Sequence, residues 1–153
     1  MFELKAILVA TDFSESSDAA LAKGCAFAAA FGASLHVLHV AGVRDLERDA
    51  ARQLEQLPAL VAFGRDRAVL STASGDPIDE IIKYAHDFDI RLIVCGTHGR
   101  RGWDRVLMGS VAERVVRLAP CPVLTVPPVQ TVRELNDDVR CVQRPATERL
   151  LAS

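Results

Sequence analysis

Short apolar runs rich in β-formers alternate along this chain with segments of helical periodicity, and this alternation restricts its fold most. Parallel neighbouring strands need a long crossover between them, usually a helix, so the pattern is typical of repeated βαβ units. Strands are predicted at residues 6–10, 34–40, 68–71 or slightly longer, 92–96 and 123–126. We therefore expect an α/β, Rossmann-like fold: an open five-stranded parallel sheet, in the order 3-2-1-4-5, sandwiched by four helices.

The predicted helices carry recognisable boundaries. The first, over residues 16–31, ends before Gly32, and the third begins with Asp76 as N-cap and Pro77 as first residue. The second, over residues 45–63, should kink or split at Pro58. The fourth starts after Ser110. The stripes expected to face the core are Leu46, Ala50, Leu54, Leu57 and Val61, then Ile78, Ile81, Ile82, Ala85 and Phe88, and finally Val111, Val115 and Val116.

Length and charge favour a single globular domain. The 153 residues carry a net charge of -2 from interspersed signs, which gives no electrostatic footprint for nucleic acid or an anionic membrane surface. The N-terminal segment lacks the features of a signal peptide, and no apolar run reaches the length of a membrane span, about 20 residues. We expect cytoplasmic residence.

The cysteines and histidines show no metal-ligand spacing. Cys25, Cys95, Cys121 and Cys141 are scattered and are expected to act as small hydrophobes in a reducing compartment. His36 and His39 differ by three positions in a strand and so point to opposite faces, which argues against a metal pair. Structural or surface roles are expected for both.

One segment carries the strongest chemical signal. The fourth strand opens into a long loop in which Gly96, Gly99 and Gly109 are followed by Ser110 and a helix. Each glycine alone would serve a turn or a bend. Together, ahead of a helix N-terminus, they predict anion binding, because bare N–H groups approach an anion closely and the helix dipole favours negative charge.

The position of this loop suggests a nucleotide. Ligands of open parallel sheets bind where the strand order reverses, here between strands one and four. Asp12 follows strand one at the same place; it is either a turn or N-cap aspartate, with Ser14 able to cap that helix, or an acceptor for nucleoside hydroxyl or amino groups.

Other residues of the long loop have two interpretations each. Ser110 and Glu113 form a possible capping box, and the same hydroxyl could bind a phosphate. Arg100, Arg101 and Arg105 either add charge near the phosphates or face solvent, and His98 could carry a proton.

Several enzyme signatures are missing. Strand one is not followed by the GxGxxG of a nicotinamide dinucleotide site, and there is no GxxxxGK[ST] phosphate loop. No nucleophile, base and orienting partner are evident, so no catalytic residue is assigned. The residues indicate binding more clearly than turnover.

These motifs resemble the ATP-binding subgroup of the universal stress protein family. The subgroup's motif is Gly, two residues, Gly, nine residues, Gly, then Ser or Thr, and it is matched here without gaps. ILVATDFSESSDAAL, LHVLHV, GDPIDEII and CPVLTVP extend the resemblance over residues 1–127. Beyond them, residues 128–153 form a C-terminal extension whose Thr131, Glu134, Leu135, Val139 and Val142 suit a short capped helix; a loosely docked terminus, a lid and a subunit contact all remain open.

The resemblance implies a ligand and a set of contacts. Adenosine would be held by Asp12 and the backbone around Val40, the ribose side by Gly96, and the phosphates by the later glycines with Ser110 and Val111. It implies ATP, with Mg²⁺ or Mn²⁺ bound through the phosphates, and a homodimer through the edge strand Val123–Val126. The expected cofactor-binding residues are Thr11, Asp12, Val40, Gly96, Thr97, His98, Gly99, Arg100, Gly109, Ser110 and Val111.

Three functions follow from the sequence. The first is a cytoplasmic ATP-binding stress-response protein in which nucleotide occupancy biases dimer or partner interactions. The second is a slow ATP hydrolase or nucleotidyl-transfer enzyme, and the third is a nucleotide-independent dimeric scaffold. The sequence names neither the stress signal nor the downstream partner, and it does not separate ATP from ADP or AMP.

Overall fold

The structure is a computed structural model that describes residues 3–42, 47–98 and 108–128, with only the backbone of Glu47 and Arg48. Its strands are Ala6–Thr11 (β1), Ser34–Ala41 (β2), Ala68–Ser74 (β3), Leu92–Gly96 (β4) and Val123–Val126 (β5). Its helices are Glu15–Phe31 (α1), Glu47–Glu55 (α2), Pro58–Phe63 (α3), Pro77–Asp87 (α4) and Ser110–Leu118 (α5), with a 3₁₀ turn at Arg65–Arg67. The predicted alternation of strands and helices is confirmed.

The five strands form one parallel sheet in the order β3-β2-β1-β4-β5. Val9 of the central strand lies opposite Val37 of β2 and Val94 of β4. The predicted strand order is therefore confirmed. Because the order reverses between β1 and β4, the loops after these strands leave toward opposite faces and open a crevice at the sheet's carboxyl edge.

Helices cover both faces of the sheet. Leu8 and Val9 of β1 are each 0% exposed although neighbouring side chains point to opposite faces. Val9 belongs to the core cluster beneath α1 and α3, together with Leu60. Leu8 belongs to the cluster beneath α4 and α5, together with Val115. The nearly continuous apolar run of β1 is thus explained by burial on both sides.

Helix boundaries are set where the sequence places capping residues. Ser14 caps α1 by accepting a hydrogen bond from Ser17 N, and Gly32 ends the helix with a left-handed φ of 65°. Asp76 caps α4 by accepting from the N–H groups of the second and third helical residues, and Pro77 is the first. These boundaries are confirmed.

The second predicted helix is split at Pro58, one of the two outcomes expected there. Leu57 is extended, with φ -60° and ψ 124°, so the helical period starts afresh at the proline. Leu60 is consequently buried, and Val61, predicted to face the core, is 52% exposed. Ala50, Leu54 and Leu57 are buried as predicted, and Leu46 lies outside the described residues.

Three further burial predictions are wrong. Phe88 is 49% exposed because α4 ends before it, and its ring stacks on Tyr84 at 4.2 Å instead of entering the core. Val111 and Val116 of α5 are also exposed, because the buried stripe of this helix runs through Ala112 and Val115. An apolar stripe in the sequence can be wider than the surface it covers.

No helix in the described ranges is long and apolar enough to span a membrane. The predicted helix with Thr131, Glu134, Leu135, Val139 and Val142 lies outside those ranges.

Candidate functional site

A cavity of about 570 Å³ opens at the carboxyl edge of the sheet, beside the reversal of strand order. The ends of β1, β2 and β4 form its floor, with Ala10, Leu38 and Cys95 among the lining residues. The N-terminal turns of α4 and α5 form its walls. Its volume is that of a small-molecule site, about 300–1,000 Å³.

Most of the predicted site residues meet in this cavity. Those lining it are Thr11, Asp12, Val40, Gly96, Thr97, His98, Gly109, Ser110 and Val111. Gly99, Arg100, Arg101 and Arg105 lie outside the described residues. Loops far apart in sequence, after β1 and after β4, are thus brought to one place by the sheet topology.

The loop after β1 is held by its own side chains. Thr11, 5% exposed, shares a hydrogen bond of 3.1 Å with the Ser17 hydroxyl and accepts another from Phe13 N. Asp12 Oδ1 accepts from Ser14 N at 3.0 Å. Asp12 therefore has the predicted turn role, while Ser14 is the N-cap, and Asp12 also lines the cavity.

This side of the cavity carries the Asp12 carboxylate, and two more carboxylates lie outside the lining on the exposed first turns of α1. Asp12 lies near Glu15 and Asp18 of the first turns of α1. The pKa of Asp18 is raised by its partial burial and, to a smaller extent, by the negative charges of Asp12 and Glu15. A phosphate at this end would meet the same repulsion, so this end suits an uncharged part of a ligand.

The segment after β4 is tied to the start of α5. Thr97 N donates to Val126 O at 3.0 Å, and Thr97 O accepts from Gly109 N at 2.7 Å. The Thr97 hydroxyl also lies 2.9 Å from His98 Nδ1. The Gly109 N–H, expected to bind phosphate, is thus already used within the protein, which the sequence did not predict.

The N-terminus of α5 is open toward the cavity. Gly109 is its N-cap, with no side-chain hydrogen bond to the helix, and Ser110 is exposed as the first helical residue. The predicted capping box is wrong, because the capping position falls on a residue without a side chain; Glu113 pairs with Arg117 at 2.8 Å instead. The first N–H groups of α5 have no intrahelical acceptor.

The opposite wall and the floor are apolar. Pro77 and Ile81 of α4, Leu38 and Val40 of β2, and Val115 of α5 are among the lining residues. Sequence reasoning missed Pro77, Ile81, Leu38 and Val115 as site residues. The GDPIDEII segment indicated where α4 begins. That first part of α4 becomes a wall of the cavity only because the fold places it above the strand ends.

A buried thiol lies on the cavity floor, and two buried histidines of β2 make hydrogen bonds within the sheet region. Burial raises the pKa of Cys95, on the cavity floor, to about 11. His39 Nδ1 bonds Thr11 O at 2.8 Å on one face of the sheet, and His36 Nδ1 bonds the Tyr84 hydroxyl on the other. Desolvation lowers the pKa of His36. The structural roles predicted for both histidines are confirmed, and among residues 3–42, 47–98 and 108–128 no group of three His, Cys, Asp or Glu could hold a metal.

Solved structures share this architecture. Protein MJ0577 of Methanocaldococcus jannaschii is 28% identical, with a TM-score of 0.72 over 82% of this chain and 97% of its own. A universal stress protein in complex with cAMP is 25% identical, with a TM-score of 0.68 over 83% and 99% of the two chains. One from Archaeoglobus fulgidus, in complex with dAMP, is 25% identical, with a TM-score of 0.57 over 82% and 99%.

Sequence relatives cover the same region. A universal stress protein of Thermus aquaticus is 35% identical over 136 residues, which are 80% of this chain and 98% of that protein. Universal stress protein MJ0531 of Methanocaldococcus jannaschii is 30% identical over 138 residues, 80% and 81% of the two chains. The model of the Universal stress protein family matches residues 3–127. This chain belongs to the universal stress protein family.

Proposed function

We propose that this chain is a cytoplasmic ATP-binding stress-response protein, with the nucleotide in the cavity between β1 and β4 and its occupancy biasing dimer or partner interactions. One observation carries the proposal: the N-terminus of α5 opens on the cavity without a side-chain cap and offers the exposed hydroxyl of Ser110. The cAMP and dAMP complexes of similar proteins support an adenine nucleotide as the ligand class.

The phosphates belong at α5. The N–H groups of Ser110, Val111 and Ala112 have no acceptor within the helix, and the helix dipole favours negative charge at this end. Gly109 contributes space rather than a donor, since its N–H already bonds Thr97 O.

The nucleoside belongs at the apolar end. Leu38, Val40 and Ile81 offer surfaces against which the faces of a purine pack. Asp12 is the acceptor for ribose hydroxyl or adenine amino groups, and the carboxylates near it keep the phosphates at the far end. The ligand is thereby oriented along the cavity.

A divalent ion, Mg²⁺ or Mn²⁺, would enter through the phosphates. The donor set at the start of α5 fits this arrangement, because its N–H and hydroxyl groups hold phosphate and magnesium commonly binds through phosphate oxygens. When bound, the ion would neutralise phosphate charge. The protein groups that hold the phosphates remain the amides and hydroxyl at the start of α5.

Calorimetry tests the proposal. ATP is titrated into the parent protein and into Ser110→Ala, with Ser34→Ala as the matched control, because Ser34 Oγ donates to Lys5 O at the opposite end of the sheet. We expect ATP to bind the parent and the control equally. Loss of a hydrogen bond to a charged phosphate should weaken binding to Ser110→Ala about 10-fold or more. No heat with the parent would overturn the proposal, and equal affinity for Ser110→Ala would exclude the Ser110 hydroxyl from the phosphate contacts.

We also propose a homodimer through β5. This strand lies at the edge of the sheet, where unpaired N–H and C=O groups need cover. Ile93 N donates to Pro122 O and Thr97 N to Val126 O, so by alternation the N–H of Thr125 points away from β4. Thr125→Pro should therefore convert a dimer to a monomer in analytical ultracentrifugation, while Thr125→Ser should not. A parent that sediments as a monomer would exclude the dimer.

The end of the family match at residue 127 supports a division into a nucleotide-binding domain, residues 1–127, and a C-terminal extension, residues 128–153.

A further inference from the structure

Ser16 lies where three elements meet. It is the second residue of α1 and is 3% exposed. Its hydroxyl donates to Val126 O, at the end of β5, at 3.2 Å, and accepts from His98 N, after β4, at 3.4 Å. One buried hydroxyl thus joins the edge strand to the segment that leaves the cavity floor.

The carbonyl that Ser16 contacts is part of a longer series of hydrogen bonds. Val126 O also accepts from Thr97 N at 3.0 Å, so both of its lone pairs are used. Thr97 O in turn accepts from Gly109 N at 2.7 Å. Continuous hydrogen bonding therefore links the N-cap of α5, which borders the cavity, to the last residue of the edge strand.

Gly96 fixes the position of Ser16. A side-chain carbon placed on Gly96 would lie 2.7 Å from the backbone carbonyl carbon of Ser16 and would also overlap its hydroxyl. The backbone of β4 and the first turn of α1 are therefore in direct contact, and Ser16 has no room to move toward the strand. This contact explains a glycine at position 96 through packing, a reason separate from any ligand.

We propose that Ser16 is a positioning residue of the nucleotide site, which holds Thr97 and His98 against the end of β5 and so couples cavity occupancy to the edge of the sheet. The proposal rests on the proposed function. A nucleotide acting on the start of α5 changes the environment of Gly109 N, and the bonds of Thr97 convey that change to Val126. Ser16 acts beside this series, because its hydroxyl holds His98 N and Val126 O in the positions that the Thr97–Val126 bond requires.

Two variants separate positioning from packing. Ser16→Ala removes the hydroxyl while keeping the small side chain, and Ser16→Cys keeps a similar shape with a weaker hydrogen-bonding atom. Ser34→Ala is the matched control. We expect ATP to bind Ser16→Ala about 3- to 10-fold more weakly than the parent, Ser16→Cys to be intermediate, and Ser34→Ala to be unchanged, by calorimetry.

Nuclear magnetic resonance gives a second readout. Without nucleotide, the His98 amide should exchange at least about 10-fold faster in Ser16→Ala than in the parent, because it loses a hydrogen-bond acceptor. On saturation with ATP, the carbonyl carbon shift of Val126 should change in the parent, and by less than half as much in Ser16→Ala.

The outcomes are distinguishable. Unchanged His98 exchange in Ser16→Ala would overturn positioning, and an undiminished Val126 response at saturation would overturn coupling. A parent that binds no ATP would overturn the proposed function and the coupling together, while the exchange measurement would still decide whether Ser16 positions His98. If Ser16→Ala does not fold, the Cys variant and the parent decide the same questions.

Discussion

The N-termini of α4 and α5 border the same cavity but differ in how they are capped. α4 is capped by Asp76, whose carboxylate accepts from Ile78 N and Asp79 N, and its first residue, Pro77, has no N–H. α5 has Gly109 at the capping position and no side-chain hydrogen bond. The first amides of α4 thus have a side-chain acceptor, whereas α5 has no side-chain cap.

This difference shows that a helix N-terminus is an anion site only while its first amides are unused. A side-chain cap stabilises a helix by about 1 kcal/mol, and a glycine at the capping position lowers the stability by only a few tenths of a kcal/mol relative to such a cap. The sequence of α5 thus loses little stability by omitting the cap and leaves its dipole directed into the cavity. The contrast between the two helix termini sets the orientation of the proposed nucleotide, with its phosphates at α5.

The largest expected effect comes from giving α5 the cap of α4. Gly109 has φ -59° and ψ 149°, a conformation open to any residue, so Gly109→Asp should place a carboxylate over the first amides of α5. ATP affinity should fall about 100-fold by calorimetry, because the carboxylate both occupies these amides and repels phosphate. The free energy of unfolding should rise by up to about 1 kcal/mol in urea titrations.

Gly109→Asn is the control for this variant. It provides a cap without a charge and should lose less affinity than Gly109→Asp. If the aspartate variant bound ATP as well as the parent does, the phosphates would not lie at α5.

The floor between the two helix termini is tested by Cys95. Its pKa of about 11 exceeds the unfolded value of 9.0, so the thiol stabilises the fold fully below pH 9, and this contribution is lost as pH rises through 11. The free energy of unfolding should fall by about 1.4 kcal/mol per pH unit within that window. Cys95→Ala should show a flatter profile, with the contributions of Cys25 and Cys121 common to both proteins. Identical profiles would mean that water reaches the floor.

The smallest effect on binding is expected from uncapping α4. Asp76→Ala should lower the free energy of unfolding by about 1 kcal/mol in urea titrations, because two amides lose their acceptor. ATP affinity should stay within about twofold of the parent, since α4 contributes apolar surface rather than phosphate contacts. Asp76→Asn should restore the stability. A tenfold gain of ATP affinity in Asp76→Ala would place the phosphates nearer α4, because the freed amides would then bind them.

The predictable parts of the fold were those with a local chemical cause. β1 and β4 read as buried strands because their apolar runs are nearly continuous, and Asp76 and Gly32 mark helix ends by their own chemistry. The capping box of Ser110 and Glu113 was wrong because it assumed that the helix begins after Ser110, whereas α5 begins at Ser110. Burial of Val61 was predicted wrongly because the helical period restarts at Pro58. A single apolar stripe drawn from the first half of the segment to the second assumes an unbroken helix.

The candidate site divides in the same way. Asp12 and Ser110 could be nominated from sequence because each follows a strand end or opens a helix. Ile81 and Leu38 could not, because an apolar residue on a helix or strand is assigned to the core unless the distance between elements is known. Ser16 was hidden for a related reason: its partner, Val126 O, lies 110 positions away along the chain.

The hydrogen bond from Gly109 N to Thr97 O also makes this point of the chain a place for engineering. It fixes both ends of the intervening segment beside the cavity, and closing a longer segment costs little, about 0.6 kcal/mol per doubling of length. A fluorescent domain inserted in the sequence between Thr97 and Gly109 would have these two hydrogen-bonded residues on either side of it along the chain. A change in the emission of this domain inside a cell would then report the proposed binding of nucleotide at the start of α5.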